Sequence, residues 1–349
     1  MKIVITSNTL NAGGAEMQRV TLANAMSALG NDVTVVVLQQ FGNLSKRLHQ
    51  RVSKQRARYI DGLKSECDLL IVGTTRTEAV FALISFLRRQ PRIAVAIHNP
   101  VGNSAPRISR LALIASAVVP RLVALTPAHA AAIHKEWGLR ATDVISNAIT
   151  PAASSAGVDD ENSVHDVGYI GRLSTHHKGI DRLLAAIEHS STLTLLIAGH
   201  GPDEDFLKAR AAAGGSSERI QFLGETTPEE FFLRVKVVAL LSRYEAQPMV
   251  ILEAQRAGIP LVVSTEVGAT NNALCVDADA PEKVAAALLE AASNPDALLE
   301  KSRGSWSDID MASAYLKLVE ESPPTRRRIE WKAFTRSLIR GRSRARSAS

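Results

Sequence analysis

The sequence predicts an α/β protein with two Rossmann-like domains in succession. Three observations lead there. Its strands are runs of Val, Ile, Leu and Ala without polar alternation, as in Lys2-Ile3-Val4-Ile5 and residues 32–38, the pattern of parallel strands covered by helices on both faces. Helix-length segments separate these runs. The alternation halts in residues 151–165, rich in Ala, Ser, Asp and Glu, and then begins again. The chain has 349 residues, long for a single core, and 46% hydrophobic but only 4% aromatic residues, an aliphatic composition that suits helices packed on parallel sheets.

In the first half, strands are expected at 2–6, 32–38, 68–72, 92–97 and 121–125. A helix is expected at 15–29, where Leu22, Ala25, Met26 and Leu29 share a face and Gly30 stops it. In the second half, strands are expected at 166–170, 193–198, 220–223, 237–242 and 260–264. Ile180, Leu183, Leu184 and Ile187 mark a helix between the first two. Two such domains are expected to face each other across a cleft, with ligands bound beyond the carboxyl ends of the strands.

Charge is unevenly spread. Of 41 Lys+Arg and 35 Asp+Glu, nine bases and one acid fall within 323–349, so this tail carries +8 and the remainder −2. That remainder gives no reason to expect nucleic-acid binding by the folded domains. Cys67 and Cys275 form no zinc pattern or disulfide framework, which fits a reducing cytoplasm. The chain opens on an apolar strand with no signal peptide, and stretches such as 111–119 are too short to span a bilayer.

Four motifs stand at expected strand ends. Gly13-Gly14, before Ala15-Glu16, would allow close backbone approach at a helix N-terminus, or form a plain turn. Gly171-Arg172-Leu173 followed by Lys178-Gly179 places two cations six residues apart, able to converge on a diphosphate or to stay solvated. Gly199-His200-Gly201-Pro202 is a further Gly-rich loop. Glu245 and Glu253 bracket Ala246-Gln247-Pro248-Met249-Val250, with one carboxylate in a loop and the other in a helix. The pair His176-His177 has no carboxylate-rich partner, and Asp277-Ala278-Asp279 reads as turn and N-cap residues. No metal site is expected.

In order, these motifs resemble the retaining glycosyltransferases of GT-B fold, family 4 (glycosyl transferases group 1). The resemblance covers roughly residues 1–320. It includes His98 in Ala96-Ile97-His98-Asn99-Pro100, Asn147-Ala148-Ile149 opening the linker, and Phe222-Leu223-Gly224. It implies an acceptor-side domain at 1–150, a nucleotide-sugar-binding domain at 151–304, a helix at 305–322 packing back on the first domain, and the basic tail. The implied reaction transfers a sugar with retention from a UDP-, GDP- or other nucleotide sugar to a glycan or lipid-linked hydroxyl, without cofactor or metal, in cell-envelope synthesis. Arg172 and Lys178 would hold the diphosphate, Glu245 the sugar and Glu253 the ribose. Gly13, Gly14, Gly171, Gly199 and Gly201 would lie along the donor, with Thr226 at the base, Gln247, Met249 and Val250 at the sugar or phosphates, and His98 beside sugar and acceptor. The sequence departs from the pattern at Ala246-Gln247-Pro248, where Pro248 lacks an N–H donor. A nucleotide-sugar epimerase and a catalytically silent binding subunit are the competing expectations.

Trp331, Phe334 and Leu338 recur at i, i+3, i+7 beside Lys332, Arg336 and Arg340, with Arg342, Arg344 and Arg346 beyond. This spacing predicts an interfacial helix that carries a cytoplasmic enzyme to an anionic membrane face; the alternative is a solvated tail.

Overall fold

The computed structural model describes residues 1–11, 13–64, 66–88, 92–101, 108–149, 164–267, 273–294, 306–321 and 329–340. The chain divides into two units, Met1–Pro151 with Trp306–Ser349, and Ala152–Ser305.

The first unit runs β1 (Lys2–Thr9), α1 (Gly14–Ala28), β2 (Asp32–Gln40), β3 (Ser53–Arg56), β4 (Leu69–Val72), α2 (Arg76–Leu87), β5 (Ile93–Ala96), α3 (Arg110–Val118), β6 (Arg121–Ala124), α4 (Pro127–Trp137) and β7 (Asp143–Val144). Its parallel sheet has the order β3-β2-β1-β4-β5-β6-β7. Strands β4, β5 and β6 are buried along their whole length, which is why they lack polar alternation. The apolar pattern could not reveal β3, an exposed edge strand reading Ser-Lys-Gln-Arg, or the two-residue β7.

The second unit runs β8 (His165–Ile170), α5 (Thr175–Lys178), α6 (Ile180–His189), β9 (Leu195–Ala198), α7 (Glu204–Ala213), β10 (Ile220–Gly224), α8 (Pro228–Phe232), β11 (Val235–Leu240), α9 (Met249–Ala257), β12 (Leu261–Ser264), β13 (Ala273–Val276) and α10 (Pro281–Ser293). Its sheet order is β10-β9-β8-β11-β12-β13, again parallel, and strand order reverses beside β8. Ligands in doubly wound sheets bind at such a switch point. The sequence reading missed the edge strand β13, a four-residue apolar run of which three residues are not buried.

Two C-terminal helices complete the first unit. In α11 (Asp308–Glu320), Met311, Ala312, Tyr315, Leu318 and Val319 enter the core that holds α1 and β1. Ser307 caps this helix through a reciprocal bond with Asp310. The last helix, α12 (Trp331–Arg340), corrects the tail reading. Phe334 is only 7% exposed and joins Ile133, Trp137 and Leu139 in the core, with Leu338 packed against it, whereas Trp331 is 67% exposed. The predicted membrane stripe is therefore largely spent on packing. The Gly138 carbonyl accepts from the Glu330 N–H at 2.8 Å, and Leu139 pairs antiparallel with Ile329 just before the helix. Arg342, Arg344 and Arg346 lie outside the described residues.

Candidate functional site

At the switch point of the second sheet, adjacent loops touch backbone to backbone. Leu173 N–H donates to the His200 carbonyl at 2.9 Å, Gly171 N–H to Ala198 at 3.0 Å, and Gly199 N–H to Gly224 at 2.7 Å. A Cβ on Gly199 would meet the Gly171 carbonyl oxygen at 2.1 Å, and one on Gly201 the Leu173 carbonyl oxygen at 2.1 Å. Gly199 and Gly171 also hold positive φ, 113° and 150°. These glycines are thus required by loop-on-loop contact, whether or not a ligand also approaches. Beneath them the buried Tyr169 hydroxyl donates to the Arg172 carbonyl at 2.8 Å.

The loops after β8 and β11 meet through charge. Lys178 Nζ lies 2.6 Å from Glu245 Oε1, and Ser242 Oγ donates to the same oxygen at 2.8 Å. His177 stacks on Tyr244 with ring centroids 4.3 Å apart, its Nε2 3.1 Å from the Tyr244 carbonyl and 3.7 Å from Glu245 Oε1. Burial, then Lys178 and more weakly Arg172, push the His177 pKa down, against Glu245 and the Tyr244 carbonyl, which raise it. His177 is therefore neutral near pH 7, and its Nε2–H donates to Tyr244. Arg172 and Lys178 are near enough to act on one imidazole, but Lys178 is already engaged by Glu245 while the Arg172 side chain is exposed.

Around this centre the frame is rigid. Arg243 grips Asp181 with both terminal nitrogens, at 2.9 and 2.7 Å, and donates to the Thr175 carbonyl. Thr175 donates through N–H and hydroxyl to Asp203, which holds that carboxyl below its ordinary range. Gly179, at φ 65°, packs its α-carbon over the Leu241 carbonyl. Asp279 pairs with Arg182 at 2.8 Å, so the Asp277–Asp279 pattern belongs to the frame. Among the described residues no cluster of acids, histidines and cysteines could hold a metal ion.

The remaining positions are more dispersed. Gln247, Met249 and Glu253 are half-buried and Val250 is buried at the start of α9, whose N-cap is Pro248, without a side-chain cap. Thr226 is occupied in a cap, its hydroxyl donating to Glu230 at 3.0 Å. In the first unit Gly13 is the extended N-cap of α1 and Gly14 its first residue.

His98 follows β5 and is half-buried; burial, Arg19 and His129 push its pKa down to about 3. His129, buried on α4, falls to about 4 by burial. Its Nδ1 accepts from Leu125 N–H at 3.3 Å, so the proton sits on Nε2, 3.0 Å from the Asn99 carbonyl that follows His98. Beside them Arg19 and the fully buried Glu78 pair at 3.0 Å, and Glu78 also accepts from Gly73 N–H at 3.2 Å and Thr6 Oγ1 at 3.3 Å.

Sequence reasoning missed Tyr169, Ser242, the Arg243–Asp181 clamp, His129 and the Arg19–Glu78 pair. Only Glu78 had a local signal, as N3 of the capping box opened by Thr75. Tyr169 and Ser242 reach partners three residues on, Arg172 and Glu245, and the rest are partners across distant segments.

The Glycosyl transferases group 1 family profile matches residues 164–294. An uncharacterized glycosyltransferase of Methanocaldococcus jannaschii, MJ1607, is 35% identical over 120 residues, 33% of this chain and 30% of that protein. The amylovoran biosynthesis glycosyltransferase AmsD of Erwinia amylovora is 22% identical over 281 residues, 74% of this chain and 79% of that one. In fold, the chain is similar to Anabaena HepE, solved with UDP and glucose, at a TM-score of 0.76 and 18% identity, covering 92% of this chain and all of HepE. Residues 164–294 are accordingly a glycosyl transferases group 1 domain, in a chain whose two parallel α/β domains have the GT-B fold.

Proposed function

We propose that the chain is a glycosyltransferase that moves a sugar from a nucleotide sugar to an acceptor hydroxyl, with retention and without metal, in the synthesis of cell-envelope polysaccharide, lipopolysaccharide or glycolipid. The observation that carries this reading is the Lys178–Glu245 contact at 2.6 Å, with exposed Arg172 nearby, at the strand ends of the domain matched by the family profile. As the bond from the sugar's anomeric carbon to the diphosphate breaks, negative charge grows on the departing phosphate oxygen. The two cations would stabilise that charge more in the transition state than in the ground state. A diphosphate that takes over Lys178 releases Glu245 to accept hydrogen bonds from sugar hydroxyls. The acceptor oxygen then bonds to the anomeric carbon on the face the diphosphate leaves, and its proton passes to a donor phosphate oxygen, so no enzyme nucleophile is required.

In this reading Glu253 holds the ribose and backbone near Thr226 meets the base. Gln247, Met249 and Val250 line the sugar and phosphates, and Gly13-Gly14 offers N–H groups to the phosphates. His98, with a pKa of about 3, stays neutral and serves as a hydrogen-bonding partner for sugar or acceptor. HepE's complex with UDP and glucose favours a UDP-sugar donor, and AmsD's polysaccharide role favours an envelope acceptor. A lipid-linked acceptor would bring the enzyme to the cytoplasmic membrane face. The test is turnover of UDP- and GDP-sugars with and without envelope lipid extract. Acceptor-dependent release of nucleoside diphosphate, unchanged by EDTA, and a product with the donor's anomeric configuration are expected. Sugar interconversion without acceptor would favour an epimerase, and binding without turnover a silent subunit.

A further inference from the structure

We infer that the first unit carries a docking surface for an anionic lipid bilayer, formed by the turn Tyr59–Asp61 and the C-terminal end of α2, and distinct from the tail. Three contacts make these segments one knob. Leu63 is buried and its N–H donates to Ser85 Oγ at 2.9 Å, Gly62 lies against Ile84, and Arg88 donates to the Asp61 carbonyl. The inward residues are thereby spent on the core. Left outside are Tyr59, 41% exposed, Ile60, 49%, Phe86, 37%, and Leu87, 78%. A single exposed apolar residue needs no explanation, but four on one knob do.

The charge around them is one-sided. Arg58 and Lys64 approach the Asp61 carboxylate at 3.7 and 4.0 Å, and Arg88 bonds to its backbone carbonyl, so two cations share one carboxylate and a third stands beside it. Between Asp32 and Asp61 the sequence holds Lys46, Arg47, Arg51, Lys54, Arg56 and Arg58 and no carboxylate. Lys54 and Arg56 lie on the fully exposed edge strand β3. The −2 charge of residues 1–322 concealed this concentration, because a sum over a chain says nothing about its distribution. A polyanion would account for the cations but not for Leu87 and Ile60. An apolar and aromatic tip rimmed by Lys and Arg fits the bilayer interface, where Tyr sits at headgroup depth and each nearby cation adds about 1 kcal/mol. Among the described residues no helix is long and apolar enough to cross a membrane, so this contact would be peripheral.

The inference stands apart from the transfer reading, because vesicle binding is measured without donor or acceptor. The experiment is co-sedimentation of the full chain with vesicles of phosphatidylcholine alone or mixed equally with phosphatidylglycerol, at low and high salt. Binding to the mixed vesicles that weakens with salt is expected. Arg56→Gln/Arg58→Gln/Lys64→Gln should weaken it on the order of 100-fold. Ile60→Ser/Leu87→Ser, which keeps every charge, should weaken it at least several-fold with an unchanged melting curve, while removal of 341–349 should leave most of it. The inference is overturned if the full chain ignores anionic vesicles, if removing 341–349 abolishes binding while both knob variants retain it, or if Ile60→Ser/Leu87→Ser binds as tightly as the parent, which would leave a mere polyanion site.

Discussion

At the carboxyl end of the second sheet neighbouring loops touch backbone to backbone, whereas at that end of the first sheet they are joined by buried side chains. In the second unit Gly199 and Gly201 let the chain segments meet, and the charged groups Arg172, Lys178 and Glu245 remain at or near the surface. In the first unit the side chains of Glu78, Arg19, Thr6 and His129 bridge β1, β4, β5 and α4 from within, His129 through the Asn99 carbonyl, and Thr77 Oγ1 adds a bond to Asn8 at 2.6 Å. The second unit thus leaves Arg172 exposed to a ligand, while in the first Arg19, Glu78 and His129 are spent on its own architecture. A short local motif can encode the former. The latter depends on pairing between distant segments.

The largest effect expected from this contrast is on stability. Glu78→Ala leaves Arg19 buried without its partner, and breaking a buried pair costs about 3–5 kcal/mol. Calorimetry should show the transition of the first unit lowered while the second keeps its melting temperature; an unchanged transition would mean the pair is not a structural bridge. Next comes chemistry. Lys178→Ala should raise the barrier by about 2.7–4 kcal/mol, the usual loss of one preorganised stabiliser of developing charge, with little change in melting. Near-parental turnover at saturating donor would remove Lys178 from the reaction.

Third, Gly201→Ala drives a Cβ into the Leu173 carbonyl, and overpacking of this kind costs about 1–3 kcal/mol. It should destabilise the second unit alone. A tolerated alanine would show that the glycine serves a ligand and not the loop contact.

The last effect concerns pH. The folded pKa values of His98 and His129, about 3 and about 4, lie below the ordinary 6.5. The unfolded chain therefore binds more protons below that value. Stability from the neutral imidazoles is fully present above about pH 6.5 and is lost as pH falls toward 4 and then 3. One such group contributes a slope of about 1.4 kcal/mol per pH unit inside its window. Melting temperature against pH should fall through this range, and His129→Gln should flatten the fall. A parallel curve in the variant would contradict the buried neutral state.

Much of this architecture was legible from residue patterns. Buried parallel strands such as Leu69–Val72 and Leu261–Ser264 announce themselves as aliphatic runs because both faces are covered. The edge strand β3 does not, because an edge is only partly buried and its composition is free to be polar, and β13 is an apolar run of only four residues. The loop motifs of the second unit were visible because glycine and charge at a strand end are local necessities. Their division of labour was not, since Gly199 and Gly201 answer to neighbouring loops 28 residues away at Leu173 and Gly171.

The tail and the charge show the same limit. Amphipathic spacing in residues 331–340 correctly signals a helix, because a 3.6-residue period is a property of the local chain. Periodicity cannot say what covers the apolar face, and Phe334 turns out to pack on the first domain. Likewise composition determined that the cations outnumber the acids, but only the docking of the Tyr59–Asp61 turn on α2 gathers Ile60, Leu87 and three bases on one knob. What the sequence settled by itself is whatever follows from neighbours along the chain: element type, the succession of two parallel domains, and the strand-end motifs. The tertiary structure decided which carboxylate meets Lys178, which histidines are stripped of water, and which apolar residues stay outside. Those outcomes depend on long-range approach and desolvation, which no local pattern specifies.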